Sequence, residues 1–203
     1  MTARFHLLCS ASTPSIRARA FPDDEPLDPR GREDLRHVAR TLPASAEVLR
    51  SPALCAAQTA EGLSFAAQPE PALRECDFGR WTGRKLTDVL AQEPDALAAW
   101  LRDPRSAPHG GESLVKVVAR VGIWMDSLLT SDQTILAITH ASVIQAAIAH
   151  ALGGEPRSLL GVDIGPLGHA KLSNSGGRWR LGALIPLKEA RRIGVGADVE
   201  VEA

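Results

Sequence analysis

Phe5-His6-Leu7-Leu8-Cys9-Ser10-Ala11-Ser12-Thr13-Pro14 is a short apolar run that breaks at once into small polar residues. Such a run predicts a buried strand that delivers its carboxyl end into a polar loop. The pattern recurs downstream, where Thr134 to Thr139 is strongly apolar, His140 follows, and Ala141 to Leu152 reads as a helix ended by Gly153-Gly154. Ala46 to Leu49 predicts another short strand, after which Ser51-Pro52 reads as N-cap and first residue of a helix reaching about Phe65. Gln68 to Leu73 predicts a third strand, kept to an edge by its two prolines. Strands alternating with helices predict an α/β fold, a three-layer α/β/α arrangement around a mostly parallel central sheet. Ligands of such sheets sit at the carboxyl ends of the strands. Three loops stand there: Cys9 to Thr13, Ser51 to Cys55, and Thr139 to Ala141.

Residues 22–31, with three prolines and four acids, predict a solvated loop, and Leu35, Val38, Ala39 and Leu42 then repeat at helical spacing. From Thr82 to Asp103 short helical patches are separated by Pro94, and Pro104, Pro108 and Gly110-Gly111 follow. Residues 82–111 read as an inserted helical cap. Leu114, Val117, Val118, Val121, Met125 and Leu128 form an amphipathic stripe. Alternation around Leu172, a turn at Asn174 to Gly177 and a strand from Trp179 to Ile185 predict a C-terminal hairpin. Residues 1–185 are therefore expected to form a single domain, with 186–203 as a tail.

The chain has 203 residues, 44% hydrophobic and 23% charged, enough for a core that needs neither disulfides nor a structural metal. Lys plus Arg is 23 against 24 for Asp plus Glu. That balance argues against nucleic acid or an anionic membrane as partner. Aromatics at 4%, with no tyrosine, argue against base-stacking platforms. Three cysteines in a chain of this length favour a reducing cytoplasm. The uncharged run Gln133 to Gly154 contains Thr139, His140, Ser142, Gln145 and His150, so a strand and a helix fit it better than a membrane span. The first apolar stretch is too short for a secretory signal.

Five blocks resemble the histidine phosphatase superfamily, which includes the phosphoglycerate mutases. Leu7 to Thr13 lies where the family has L-x-R-H-G-x-T, and Ser51 to Ala60 is similar to its S-P-L-x-R-A-x-Q-T-A helix start. Leu73-Arg74-Glu75-Cys76-Asp77-Phe78-Gly79-Arg80-Trp81-Thr82-Gly83 is similar to L-x-E-x-x-F-G-x-W-E-G. Gly110-Gly111-Glu112-Ser113 matches G-G-E-S, and Thr139-His140-Ala141 sits where the family has S-H-G. The resemblance implies a phosphoglycerate mutase-like fold and a reaction in which a histidine after the first strand takes up the phosphoryl group. Two arginines and a second histidine surround that phosphate, and an acid protonates the leaving oxygen.

Carried over residue by residue, the resemblance puts Ser10 at the nucleophile and Cys9 and Cys55 at the two arginines, with Ala11 and Ala141 replacing glycines. Glu75 falls at the proton donor and His140 at the second histidine. Glu75, His140 and Ser10 are the catalytic candidates; Cys9, Thr13 and Cys55 are the ligand-binding ones. Without the resemblance, His140 reads as a core histidine and Glu75 as a solvated acid. His6, His37, His109, His150 and His169 match no block and are expected to be structural, and the four tryptophans are expected to pack core and cap.

A neutral thiol cannot replace a bidentate guanidinium fork. A phosphoserine ester is far less labile than a phosphohistidine, so double displacement is expected to be severely impaired. Arg17, Arg19, Arg50 and Arg74 are the candidates for relocated anchors. The expected partner is a small, phosphorylated or unphosphorylated ligand, no cofactor is implied, and a homo-oligomer stays open. Cys9 and Cys55 leave three readings: space filling, a soft-metal site shared with His140 and completed by Glu75 or water, or a disulfide. Cys55, in a first helical turn, is expected to have a lowered thiol pKa. Two functions follow. One is a catalytically impaired ligand-binding or regulatory module; the other is a weak phosphomonoesterase using Glu75 and His140.

Overall fold

A computed structural model of the chain describes residues 3–38, 42–43, 47–129 and 133–186. The opening run forms β1 (Arg4–Cys9), and the later apolar run forms β4 (Thr134–Thr139), paired with it in parallel so that Cys9 lies opposite Thr139. β2 (Glu47–Arg50) pairs in parallel with β4 and with the short edge strand β3 (Gln68–Pro69). On the other side β5 (His169–Ser175) runs antiparallel to β1, and β6 (Arg178–Ile185) folds back along it. The order is β3-β2-β4-β1-β5-β6, and only β5 runs against the rest. The mostly parallel α/β sheet is thus as the sequence predicts.

Both faces of β1 and β4 are buried, so neither strand alternates with polar residues. Phe5, Leu7, Ile135 and Ala137 pack on one side against α6 (Leu114–Ser127) and α7 (Ala141–Leu152), through Val121, Met125, Val143, Ile144 and Ala147. Leu8, Leu136 and Ile138 pack on the other against α3 (Leu54–Gly62), through Cys55, Ala56 and Ala60. Phe5 lies between Trp124 and Trp179, with ring centroids 5.3 and 4.7 Å away. No helix among the described residues is long and apolar enough to cross a membrane.

Several element boundaries differ from the sequence reading. Thr13-Pro14 and Asp28-Pro29 each start a helix, α1 (Pro14–Ala18) and α2 (Pro29–Asp34), inside stretches that read as loops. Asp28 is a true N-cap, its Oδ1 accepting the Gly31 N–H at 2.6 Å. The chain tightens to a 3₁₀ turn at Leu35–His37, where the periodicity suggested a helix start; Ala39 lies outside the described residues. β5 continues through Asn174 and Ser175, because Gly176 and Gly177 alone, with φ of 63° and 75°, make the two-residue turn. The expected strand residue Ala46 and the expected tail from Leu187 onward lie outside the described residues.

The segment from Thr82 to Gly111 supplies α4 (Leu86–Gln92) and α5 (Pro94–Arg102). Glu93, at their junction, accepts from Arg80, Trp81 and Arg84, which hold its carboxyl down at about 2. Trp100 and His109 from this segment pack with Phe21, Phe78 and Trp81.

Glu112 then ties the following helix to residues 72–77. Its carboxylate binds Arg74 at 2.7 Å and Arg120 at 2.9 Å and accepts the Asp77 N–H at 3.2 Å. Arg120 also donates to the carbonyls of Ala72 (2.6 Å) and Arg74 (3.1 Å). This clasp brings two backbones into contact, and only glycine fits at 111: a Cβ there would lie 2.0 Å from the Asp77 carbonyl oxygen. Gly111→Ala is therefore expected to destabilise the fold by about 1–3 kcal/mol. Gly154, which has open space around it, should tolerate alanine within about 0.5 kcal/mol. Urea unfolding of the two variants checks the contrast, and equal midpoints would refute it.

His6 Nδ1 and His169 Nε2 lie 3.1 Å apart, and His169 Nδ1 is buried with no hydrogen-bond partner. Burial, His6 and Lys171 together push His169 down to about 4. Its unfolded counterpart takes up a proton near 6.5, so below that pH the unfolded chain binds protons that the folded chain refuses. The stability is whole above pH 6.5 and falls away towards pH 4, by an amount on the order of 2–3 kcal/mol for His169. Thermal unfolding should therefore move to lower temperature between pH 7 and pH 5, with a smaller drop in His169→Gln; parallel drops would remove His169 as the cause.

Candidate functional site

A cavity of about 570 Å³ opens where β1, β2 and β4 end. Cys9, Ser10 and Thr13 line it from the loop after β1, Cys55 from the start of α3, Glu75 from the segment held by Glu112, and His140 from the junction of β4 and α7. All six candidate residues from the sequence thus face one space.

His140 leaves β4 with extended backbone angles as the residue before α7, so its ring turns into the cavity wall rather than along the helix. Its Nε2 is 2.8 Å from Ser51 Oγ, and its Nδ1 is 3.5 Å from Glu75 Oε2. Ser51 Oγ accepts the Ala53 N–H at 3.2 Å, leaving its hydroxyl proton for Nε2. The neutral ring then carries its own proton on Nδ1, facing Glu75. Burial lowers the His140 pKa, and Glu75 opposes that shift without reversing it. Glu75 is itself fixed: Oε1 accepts from the Cys76 N–H at 2.8 Å and from the Ser142 hydroxyl.

Glu75, His140 and Ser51 stand in the order of an acid–base–nucleophile relay. Ser51 is, however, completely buried and does not line the cavity. It anchors the imidazole from behind. The sequence reading missed this residue because Ser51-Pro52 matches a helix start. Ser51 instead extends β2, donating its N–H to the Ile138 carbonyl at 2.8 Å, and the helix begins only at Leu54.

Ser10 and Cys9 are tied to neighbouring backbone. The Ser10 N–H donates to Thr139 at 2.7 Å and the Cys9 N–H to Gly168 at 2.8 Å. The Ser10 side chain lies beside the Cys55 thiol and partly offsets the effect of its burial. The expectation of a lowered Cys55 pKa fails, since burial outweighs the helix start and pushes the thiol up. Burial pushes Cys9 up as well, with Glu75 and Cys55 adding to it. Cys9, Cys55 and Cys76 are all free thiols, so the disulfide reading is not realised. Among the described residues no group of three or more His, Cys, Asp or Glu is arranged to hold a metal ion, which overturns the soft-metal reading of Cys9, Cys55 and His140.

The charged residues lining the cavity are Asp23, Asp24, Glu75, Asp77 and Asp163; no lysine or arginine joins them among the described residues. The candidate relocated arginines are engaged elsewhere. Arg17 lies 3.9 Å from Asp28, Arg50 donates to the Ser51 carbonyl, and Arg74 binds Glu112. Arg19 ends α1 in the left-handed conformation, outside the cavity lining. Asp24, another residue the sequence reading did not single out, accepts the Leu54 N–H at 2.7 Å and so occupies the open end of α3 with a carboxylate.

A family model described as histidine phosphatase superfamily (branch 1) matches residues 17–185. The glucosyl-3-phosphoglycerate phosphatase of Mycobacterium tuberculosis is 30% identical over 138 residues, which make up 63% of this chain and 61% of that protein. Phosphoserine phosphatase 1 of Hydrogenobacter thermophilus is 25% identical over 150 residues, 70% of this chain and 67% of that protein. Among solved structures, a mycobacterial glucosyl-3-phosphoglycerate phosphatase superposes with a TM-score of 0.79 at 24% identity, over 92% of this chain and all of the other (100%). A phosphoserine phosphatase from Entamoeba histolytica gives 0.83 at 18% identity, over 92% of this chain and 98% of that one. Together with the ordered blocks and the sheet topology, the match places this chain as a member of the histidine phosphatase superfamily.

Proposed function

We propose that this chain binds a small ligand in the superfamily cavity without carrying out phosphohistidine chemistry, as a catalytically impaired binding or regulatory module. The observation that carries the reading is that Cys9, Ser10 and Cys55, at the positions the resemblance assigns to two arginines and the nucleophile, line one cavity as neutral groups. Each charge-assisted bond from arginine to phosphate is worth roughly 1.5–3 kcal/mol. Losing two weakens phosphate binding by about two to four orders of magnitude. A buried thiol held in its protonated form supplies no charge in exchange.

The competing reading is a weak phosphomonoesterase, and the assembled pair of Glu75 and His140, 3.5 Å apart, favours it. An acid and an imidazole in contact can deliver a proton to a leaving oxygen. They do not supply a group that takes up the phosphoryl and then gives it to water. In the binding reading Glu75 and His140 contact the ligand, Ser10 and Thr13 hydrogen-bond it, and segment 82–111 shapes the selectivity.

Phosphate release from p-nitrophenyl phosphate and from phosphoserine decides between them. The wild-type chain and His140→Ala are expected to give the same near-background rate. A wild-type rate well above background that falls in His140→Ala would establish the phosphomonoesterase instead. The triple variant Cys9→Arg, Ser10→His, Cys55→Arg is expected to hydrolyse p-nitrophenyl phosphate at least tenfold faster than wild type, because Glu75 and His140 already stand in place. An inactive triple variant that still unfolds cooperatively would mean that more than these three residues separates the chain from phosphatase chemistry.

A further inference from the structure

We propose that the cavity is selective for a cation, an organic ammonium carried on a small apolar group, and discriminates against phosphate esters. The inference rests on the ligand-binding reading above and names the chemical class of the ligand.

The cavity wall is largely apolar, with Ile16, Pro22, Phe78 and Ile164 among its lining residues. Around this wall stand the exposed carboxylates of Asp23, Asp24, Asp77 and Asp163, and Glu75 lies deeper. Elsewhere in the fold two carboxylates at packed positions are neutralised, Glu93 by Arg80 and Arg84 and Glu112 by Arg74 and Arg120. The four exposed acids of the cavity have no such counter-ion among the described residues. Three of them spend one oxygen on a backbone N–H, those of Asp24, Leu54 and Gly79 respectively, and keep the other free. Asp163 has no hydrogen-bond or ion-pair partner among the described residues.

Carboxylates gathered around a concave, low-dielectric wall focus a negative field into it. A phosphate dianion entering this space meets five carboxylates and finds no guanidinium among the described lining residues; Arg17 and Arg30 line instead the adjoining depression that shares Asp163. An ammonium gains from each carboxylate it nears, while its apolar part displaces water from the wall. His140 does not restore a positive charge at neutral pH, since its burial favours the neutral ring. At the start of α3, where open backbone N–H groups would favour an anion, Asp24 already fills that role.

Isothermal titration of the full chain at pH 7 with three probes of matched shape tests this: benzylamine, benzyl alcohol and benzyl phosphate. Benzylamine is expected to bind at least tenfold tighter than benzyl phosphate and measurably tighter than benzyl alcohol. Asp24→Asn and Asp163→Asn should each weaken benzylamine about two- to fivefold, the range of one exposed charge contact, and leave benzyl alcohol unchanged. Raising the salt to about 0.5 M should narrow the gap between amine and alcohol. Equal binding of amine and alcohol would overturn the cation preference and leave the ligand-binding reading standing. Tightest binding of benzyl phosphate, or failure of benzylamine to bind saturably, would overturn the cation proposal, and the phosphate-release assay would judge the reading beneath it.

Discussion

The parallel ladder between β1 and β4 is the constraint on which the rest of the molecule depends. Its register sets Cys9 beside Thr139, so the next residues of the two strands, Ser10 and His140, emerge together at one end of the sheet. The Ser10 N–H closes the ladder on the Thr139 carbonyl. A slip of one residue would turn every buried side chain of either strand to the opposite layer. Both layers forbid it, because Leu7 and Ala137 fill one and Leu8 and Ile138 the other. The two apolar faces that make the core therefore also fix where the site lies.

From that fixed point the site is assembled by elements far apart in sequence. Thr139 Oγ1 donates to the Leu73 carbonyl at 2.7 Å and brings the segment of Glu75 to the end of β4. Glu112 and Arg120 then hold that segment from the other side. The loop after β1 is fastened in the same way. The Ala11 N–H donates to Thr59 Oγ1 on α3, and Ser12 donates to Asp28. The bonds of Thr139, Ala11 and Ser12 are buried polar contacts with their partners supplied, so three sides of the cavity wall are tied to the sheet and its helices.

Much of this was legible in the chain. β4 and α7 appear with the boundaries read from the apolar run and the helix after it, since both are long, buried and ended by unambiguous signals. The block around His140 located the cavity because it falls at a strand end, and the resemblance added Glu75, which lies beyond the short β3 and is carried there by the bond from Thr139 to Leu73. Less legible were residues whose role is set by a partner distant in sequence. Ser51 looks like a helix cap until His140 is placed behind it. Arg120 looks like one cation on a helix surface until the carbonyls of Ala72 and Arg74 are seen around it. The acids between Pro22 and Asp28 read as a solvated loop, and solvated they are, yet Asp23 and Asp24 border the cavity. Local pattern carries propensity and burial; it does not carry which loop faces which.

The frame also explains why Glu75 and His140 alone are weak grounds for inferring catalysis. Each is bonded into the scaffold on the side away from the cavity, Glu75 by the Cys76 N–H and Ser142, and His140 by Ser51. Removing either would leave a buried polar group without its partner, a penalty of about 1–3 kcal/mol that is independent of any reaction. Glu75 and His140 therefore have a structural duty whatever the cavity does. Cys9 and Cys55 stand differently: they join the two apolar core clusters, Cys9 beside the Ala141 backbone, while also lining the cavity. A phosphoryl-transfer site needs charged groups where these two neutral thiols stand. The proposed binding role asks instead for a wall, a field and room for a ligand, which the cavity of about 570 Å³ and its carboxylates offer.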